Sequence, residues 1–348
     1  MGPKSQMPAE TTTVEAACPF CGGAGRVLFE GRDRLHAIGG VFGVSACTDC
    51  GFVFTSPRPP VERLGDYYPE DYSPHAPRPP VKAGLKARLR SAVLQEYFAY
   101  PGGGRPVRRA ILLPAYAAFR ADSKNVFYVP WHGEGRMLEV GCGSGRWLSR
   151  LKGAGWRTAG LDISPQAAKV AADAYDVEVE VGTYPRKHFP AASFDVVTFW
   201  NSLEHMTDPV GVLESAHAVL AAGGLLYASV PNFASFGARR FRENWFPLDL
   251  PRHLNHFTPD TLSAALEKAG FEPLWIRPLR RTSSLLKSAR FAVESGDTRI
   301  PSRIMATRPG AGLISRIAAV ADACDLVTAC ALKRRHPRKG GITTPHCE

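Results

Sequence analysis

The sequence predicts an α/β fold, a doubly wound and mostly parallel sheet preceded by a small cysteine-rich module. From residue 137 to residue 276, apolar strand-like runs alternate with helix-like patterns, as in parallel sheets. The first run breaks into three alternate glycines before a helix, and two Cys-x-x-Cys-Gly motifs lie near the N-terminus. The 348 residues exceed the usual domain length of about 100–200 residues, which favours one large domain and a small module.

Cys18, Cys21, Cys47 and Cys50 are predicted to bind a structural zinc ion. Each Cys-x-x-Cys turn directs two thiolates towards one point, and four sulfurs complete a tetrahedral site with no open position for catalysis. A pair of disulfides is the alternative, but a reducing compartment disfavours it, and a redox Cys-x-x-Cys would not occur twice. We therefore interpret residues 14–72 as a zinc ribbon followed by an aromatic segment.

The regions on either side of the ribbon differ in composition. Residues 1–13 are polar and predicted to be disordered, and residues 73–130 are interpreted as a proline-rich linker and a basic helical connector. The connector contains apolar residues spaced four apart, which predict a helix: Val81, Leu85, Leu89 and Val93. We favour packing of this helix on the neighbouring domain over attachment of its basic face to a membrane surface.

The segment from Glu139 to Gly145, Glu-Val-Gly-Cys-Gly-Ser-Gly, distinguishes three classes of glycine-rich loop. A P-loop requires Gly-Lys followed by Ser or Thr, whereas Gly145 is followed by Arg146 and Trp147. A dinucleotide fingerprint requires a small residue where Arg146 stands, which weakens that interpretation. The remaining pattern is E-x-G-x-G-x-G, in which glycines and a helix start can approach a polar ligand.

Asp162 lies at the end of the next predicted strand, 157–161. Ser164 and Pro165 are predicted to begin the helix that follows. An acid at the carboxyl end of that strand is placed to accept hydrogen bonds from ribose hydroxyls, because ligands bind at this edge of open α/β sheets.

The predicted sheet continues beyond this point. Four more strands are predicted at 177–181, 194–199, 225–230 and 271–276. After an insertion at 279–324, residues 325–333 are predicted to form a seventh, antiparallel strand, with a helix through 312–332 as the competing prediction.

Five segments in order resemble the motifs of class I S-adenosylmethionine-dependent methyltransferases of the small-molecule, ubiquinone-biosynthesis type: E-x-G-x-G-x-G, Leu-Asp-Ile-Ser, Phe-Asp-Val-Val, Leu-Glu-His-Met-x-Asp-Pro and Gly-Gly-x-Leu. The resemblance covers about residues 135–278 and implies a Rossmann-like, seven-stranded methyltransferase domain, which we assign to residues 131–333. It also implies S-adenosylmethionine as the cofactor, bound by Glu139, Gly141, Gly143, Gly145, Asp162, Ile163 and Asn201.

Three histidines are candidates for a catalytic base. His205 follows the fourth predicted strand, and His253 and His256 lie in a segment that resembles the Trp…Pro-Arg-His…Phe-Thr region of methyltransferases joined to a zinc ribbon. A neutral imidazole near pH 7 is competent to remove a proton from a hydroxyl. A structural role in holding the loops is the alternative for each of them.

The net charge of +11 lies outside the ribbon and the glycine-loop region. Residues 1–80 contain 7 basic and 9 acidic residues, and residues 137–278 contain 13 basic and 15 acidic residues. Residues 81–136, by contrast, contain 10 basic and 3 acidic residues. This distribution argues against nucleic-acid binding by either functional region. Residues 334–348 are interpreted as a solvated basic tail.

The absence of an apolar run of roughly 18 residues and of a signal peptide predicts a cytoplasmic protein. The leading hypothesis is methyl transfer from S-adenosylmethionine to a small molecule, as O-methylation of a sugar or another hydroxylated metabolite. The alternatives are an RNA methyltransferase that uses the zinc ribbon to bind RNA, and a non-catalytic scaffold that binds the cofactor. The sequence leaves the oligomeric state open.

Overall fold

The structure is a computed structural model that describes residues 12–69, 72, 84–122 and 125–334. The predicted disordered tail at 1–13 lies outside the described residues except for 12–13, and the predicted basic tail at 334–348 does so except for Arg334. The linker at 73–80 and Val81, the first residue of the predicted apolar stripe, also lie outside them. The strands are β1 (Gly25–Gly31), β2 (Phe42–Cys47), β3 (Val53–Thr55), β4 (Arg136–Val140), β5 (Arg157–Asp162), β6 (Val179–Val181), β7 (Phe194–Trp200), β8 (Leu220–Pro231), β9 (Asn255–His256), β10 (Phe271–Leu279) and β11 (Leu326–Lys333). The α-helices are α1 (Leu85–Tyr97), α2 (Pro106–Ile111), α3 (Leu113–Ala121), α4 (Arg146–Lys152), α5 (Pro165–Tyr175), α6 (Pro209–Val219), α7 (Phe236–Phe241), α8 (Pro259–Lys268), α9 (Thr282–Glu294), α10 (Ile300–Met305) and α11 (Arg308–Val320).

The larger sheet has seven strands in the order β10-β11-β8-β7-β4-β5-β6. Strand β11 runs antiparallel to both of its neighbours, and the pairs from β8 to β6 are parallel. The predicted Rossmann-like fold class is confirmed. The chain reverses its direction of progress across the sheet between β4 and β7, so their carboxyl ends form the crevice where open α/β sheets bind ligands.

Local sequence signals account for the helices that follow the sheet strands. Helix α5 begins where the Ser164 hydroxyl accepts the Ala167 N–H, and proline occupies its first turn. Helix α8 begins with a capping box in which Thr258 and Thr261 exchange hydrogen bonds. These caps satisfy amide groups that have no partner inside the helix.

The insertion between β10 and β11 is helical, as helices α9, α10 and α11. Helix α11 ends at Val320, and residue Asp322 adopts a left-handed conformation before β11 begins. Strand β11 is buried along most of its length because it lies between β8 and β10. The predicted seventh strand is therefore correct, and the competing helix through 312–332 is wrong in its second half.

Helix α1 differs from the expected amphipathic packing. Leu85 is 83% exposed and Leu89 is 43% exposed, so these two residues of the predicted apolar stripe are not packed in the core of the domain. Only the second half, with Val93 and Leu94, joins a cluster that covers the sheet. The apolar spacing did not predict which residues are buried, because α1 contacts the core only through its last turns, beside α2 and α3.

The cysteine-rich module forms a second, four-stranded sheet in the order β1-β2-β3-β9, with antiparallel pairing throughout. Strand β9 comes from the segment between β8 and α8, and it pairs Val53 with His256 and Phe54 with Asn255. Phe52 also packs edge-to-face on Phe257. The fourth strand of the ribbon sheet therefore comes from the segment that contains two of the candidate histidines, His253 and His256. The domain boundaries stay a prediction.

Within the described part of the chain, no helix combines the length and the apolar character needed to cross a membrane.

Candidate functional site

The glycine loop follows β4 at the carboxyl edge of the larger sheet. Gly141, Gly143 and Gly145 have φ values of 73°, 53° and 67°, a region that side chains other than glycine rarely adopt. A Cβ atom at Gly141 would lie 2.3 Å from the Cβ atom of Ser202. The loop therefore requires glycine at Gly141 for two independent reasons, backbone conformation and space.

Asp162 fastens this loop to the end of β5. Its Oδ2 atom accepts the Gly143 N–H at 2.7 Å, and its Oδ1 atom accepts the Ser164 N–H at 3.0 Å. The side chain is buried, at 6% exposure. The structure thus places the predicted ribose-binding acid directly against the predicted cofactor loop.

Glu139 lies beneath the same loop at the end of β4. Its Oε2 atom is buried and has no hydrogen-bond partner among the residues that the structure describes. Burial, reinforced by the negative charge of Asp162, raises the pKa of Glu139 to about 8. A buried carboxyl group without a partner favours a ligand that brings a positive charge or a hydrogen-bond donor. S-adenosylmethionine, which has both, fits this position.

The remaining predicted cofactor residues lie at the same edge of the sheet. Ile163 follows Asp162 and is 70% exposed, which leaves an apolar surface open beside the carboxylate. Asn201 follows β7 with a left-handed φ of 53°, and its N–H donates to the Ser229 carbonyl at 2.8 Å. Because β7, β4 and β5 are adjacent, the structure brings all the predicted cofactor residues to one crevice.

Two of the three candidate histidines contact each other. The rings of His205 and His253 meet edge-to-face with centroids 4.5 Å apart. The Nδ1 atom of His205 lies 3.0 Å from the Arg252 carbonyl, and that of His253 lies 2.8 Å from the Pro247 carbonyl. Because a carbonyl can only accept, we assign the proton of both rings to Nδ1, so that the Tyr68 hydroxyl, 3.0 Å from the Nδ1 atom of His205, accepts and both Nε2 atoms present a lone pair. Burial lowers the pKa of both histidines, so both are neutral near pH 7.

Glu204 lies beside these histidines, although it was not among the predicted site residues. Its carboxylate is fully buried, and neither oxygen has a hydrogen-bond partner within the described ranges. Its Oε1 atom lies 4.0 Å from the Nε2 atom of His253, and burial raises its pKa to about 8. The sequence signal was its position directly before His205.

Three side chains could together coordinate a metal ion, because one possible ligand atom from each lies within 4.8 Å of the other two: Glu204, His205 and His253. Asp249 adds a second carboxylate 3.7 Å from the Nε2 atom of His253. Asp249 accepts a hydrogen bond from Arg252, whereas both oxygens of Glu204 lack a partner among the described residues, so the group can share a proton or hold a divalent cation.

His256 lies apart from this group. It is 2% exposed in β9, and its Nε2 atom lies 3.0 Å from the Thr55 hydroxyl on β3. Burial lowers its pKa to about 3. Its geometry is that of a side chain that joins the ribbon to the larger domain.

The N-terminal module also contributes directly to the site. The Tyr68 hydroxyl lies 3.0 Å from the Nδ1 atom of His205, and Tyr68 packs edge-to-face on Tyr72. The guanidinium group of Arg252 is fully buried and forms a bidentate pair with Asp33, with bonds of 2.7 and 2.8 Å. Arg252 also binds Asp249 at 2.6 Å. The ribbon thus fixes the segment that carries His253.

The four predicted metal ligands converge at the far end of the ribbon. The sulfur of Cys50 lies 3.7 Å from the sulfur of Cys18 and 3.4 Å from the sulfur of Cys21. The sulfur of Cys21 also lies 3.4 Å from the sulfur of Cys47. Tetrahedral zinc with bonds of about 2.3 Å separates its sulfur ligands by about 3.8 Å. No cysteine pair among the described residues forms a disulfide. The four thiols fit a structural zinc ion.

The chain is similar in sequence to known methyltransferases. Residues 108–275 match a family model described as a methyltransferase domain. The ubiquinone biosynthesis O-methyltransferase of Bordetella avium is 29% identical over 191 residues, which cover 50% of this chain and 75% of that protein. The enzyme of the same name from Ralstonia nicotianae is 28% identical over 190 residues, 51% of this chain and 77% of that protein.

One solved structure with a similar arrangement is a possible histamine N-methyltransferase from Thermotoga maritima. It is 21% identical, covers 58% of this chain and 84% of its own chain, and has a TM-score of 0.41.

Proposed function

Because this chain contains a class I S-adenosylmethionine-dependent methyltransferase domain, we propose that it methylates an oxygen atom of a small hydroxylated molecule, a sugar or another hydroxylated metabolite. The Oε2 atom of Glu139, which is buried beneath the glycine loop without a partner among the described residues, carries the cofactor part of this proposal, since it favours a ligand that brings a positive charge or a hydrogen-bond donor. The O-methyltransferases to which the chain is similar support oxygen as the accepting atom.

In this proposal the residues of the crevice hold the cofactor and remove a proton from the acceptor. Asp162 would bind the ribose hydroxyls, and Glu139 would help to hold the methionine part of the cofactor. S-adenosylmethionine supplies an electrophilic methyl group when bound. His205 is the proposed base, because its ring is half-buried and its Nε2 atom carries the free lone pair, whereas His253 is buried. Four cysteines hold a structural zinc ion outside the crevice.

The decisive experiment transfers labelled methyl from S-adenosylmethionine into a cell extract that is then divided into RNA and small-molecule fractions. Label in the small-molecule fraction is the expected result, and it would provide the compound to identify. Label confined to RNA would overturn the proposal in favour of an RNA methyltransferase. Cofactor binding without any transfer would instead favour a scaffold.

Replacement of His205 by Ala is expected to reduce kcat by about 10²–10⁴-fold, the usual contribution of a general base. Because His205 is neutral at pH 7, the kcat of the unchanged protein at saturating S-adenosylmethionine should stay constant down to pH values below about 6.5, the ordinary pKa of histidine. Steady-state kinetics across this range and calorimetric cofactor affinity measure both effects. His217→Ala is the matched control, since His217 packs on Phe271 away from the crevice. An unchanged kcat in the His205 variant would contradict the assignment.

The affinity for S-adenosylmethionine is expected to increase as pH rises from about 6 to 7.5. The free protein keeps a proton on Glu139 up to its pKa of about 8, and binding of a cation favours the carboxylate and releases that proton. The limiting slope is about tenfold per pH unit for one released proton. Calorimetry in two buffers with different protonation enthalpies counts the protons directly. In Glu139→Gln this proton release should disappear; its persistence would assign the proton to another group.

A further inference from the structure

An aromatic cavity lies between the connector helices and the larger sheet. It has a volume of about 290 Å³. Helices α1 and α3 provide one wall through Tyr97 and Tyr116, and the sheet provides the other through Trp200 and Trp275. Tyr128 closes it on the side of the segment before β4. Walls of this kind present flat faces to a planar ligand.

The charged side chains that line this cavity are mainly basic. Arg120 and Arg277 both line it, and Asp122 is the acidic residue beside them. The guanidinium carbon of Arg277 lies 5.0 Å from the centre of the Trp275 ring, so a cation is held against the aromatic wall. An arginine stacked in this way keeps its N–H groups available for carboxylate or phosphate oxygens.

The cavity adjoins the proposed cofactor crevice through a chain of aromatic contacts. Trp200 immediately precedes Asn201, and Trp147 follows Gly145 by two residues. The ring of Phe127 bridges the two, at 4.9 Å from Trp200 and 5.8 Å from Trp147. The indole N–H of Trp200 is buried without an acceptor in the described part of the chain. Trp200 therefore belongs to the wall of the cavity and also immediately precedes a predicted cofactor residue, Asn201.

We propose that this cavity binds a planar aromatic ring that bears an anionic group, as a part of the methyl acceptor. The tyrosine and tryptophan faces hold the ring, and Arg120 and Arg277 bind the anion. This inference rests on the proposed function, because it identifies the chemistry of the acceptor for the same site. A nucleotide and an aromatic carboxylic acid share this chemistry, and the experiment distinguishes them.

The test measures binding of the fluorescent aromatic sulfonate 8-anilinonaphthalene-1-sulfonate to the full chain. We expect saturable binding whose Kd increases about tenfold in the double variant Arg120→Gln/Arg277→Gln and in Trp275→Leu. Arg316→Gln is the matched control, because Arg316 is an exposed arginine on α11 that does not line the cavity. Thermal melting and S-adenosylmethionine affinity, both expected to be unchanged, show that each variant is folded.

Two competitors identify the source of the anionic ring. Displacement of the probe by uridine 5′-monophosphate would assign a nucleotide, and displacement by 4-hydroxybenzoate would assign an aromatic acid. Probe binding that the cavity variants leave unchanged would overturn the inference, and so would resistance of the probe to both competitors at millimolar concentration. Loss of probe binding in the cavity variants without any methyl transfer to a small molecule would uphold the cavity and refute the proposed function.

Discussion

Cys47→Ser is expected to release the zinc ion and to lower the melting temperature by about 10 °C or more, since each kcal/mol lost shifts Tm by about 2–4 °C in a chain of this size class. Apparent binding free energies of structural zinc sites are about 10–16 kcal/mol, so loss of one thiolate removes a large contribution to stability. Cys47 is buried at the end of β2, in the middle of the ribbon sheet. Metal analysis of the purified protein and thermal unfolding measure the two effects.

Cys324→Ser is the matched control for this variant. Cys324 is also buried, at 4% exposure, but it lies just before β11 and outside the cluster of four thiols. It should keep one zinc ion per chain. An unchanged metal content in Cys47→Ser would show that the cluster does not hold the ion.

Loss of the ribbon is expected to abolish methyl transfer as well, through defined contacts. Strand β3 pairs with β9 beside His253, and Asp33 binds the fully buried Arg252. Removal of one partner from a buried ion pair costs about 3–5 kcal/mol. Asp33→Asn tests this connection while leaving the cysteines intact: it should lower kcat and stability but keep the zinc ion. A lower kcat with the zinc ion retained would show that the ribbon positions the site. An unchanged kcat would show that the ribbon only adds stability.

The larger sheet could be predicted from the sequence because its signals are local. Alternating glycines, Ser164 with Pro165, and the apolar runs that became β4 and β7 each depend on neighbours in the chain. Even the antiparallel β11 could be identified, since its run of small and apolar residues suits a strand buried on both sides. The predicted cofactor residues, which the resemblance to class I methyltransferases implies, lie where consecutive strands end.

The arrangement of the histidines could not be predicted, because it depends on contacts between distant parts of the chain. His253 and His256 are three residues apart, yet β9 turns His256 towards Thr55 while the Arg252 ion pair holds His253 beside Glu204. No periodicity encodes such a separation. Helix α1 shows the same limit, since Leu85 matches an apolar stripe and is nevertheless exposed.

Asp162→Ala is expected to weaken S-adenosylmethionine binding by at least about a hundredfold, because hydrogen bonds to a charged group contribute about 1.5–3 kcal/mol each and two ribose hydroxyls would lose theirs. The variant also frees the Gly143 N–H, which Asp162 accepts at 2.7 Å. Asp162→Asn separates these effects: its amide oxygen can still accept from Gly143, whereas its NH₂ group cannot accept from a ribose hydroxyl. We therefore expect calorimetry to show an intermediate loss for Asn and a larger one for Ala. Equal affinity in all three proteins would refute the cofactor assignment, since Asp162 is the residue that joins the glycine loop to the end of β5.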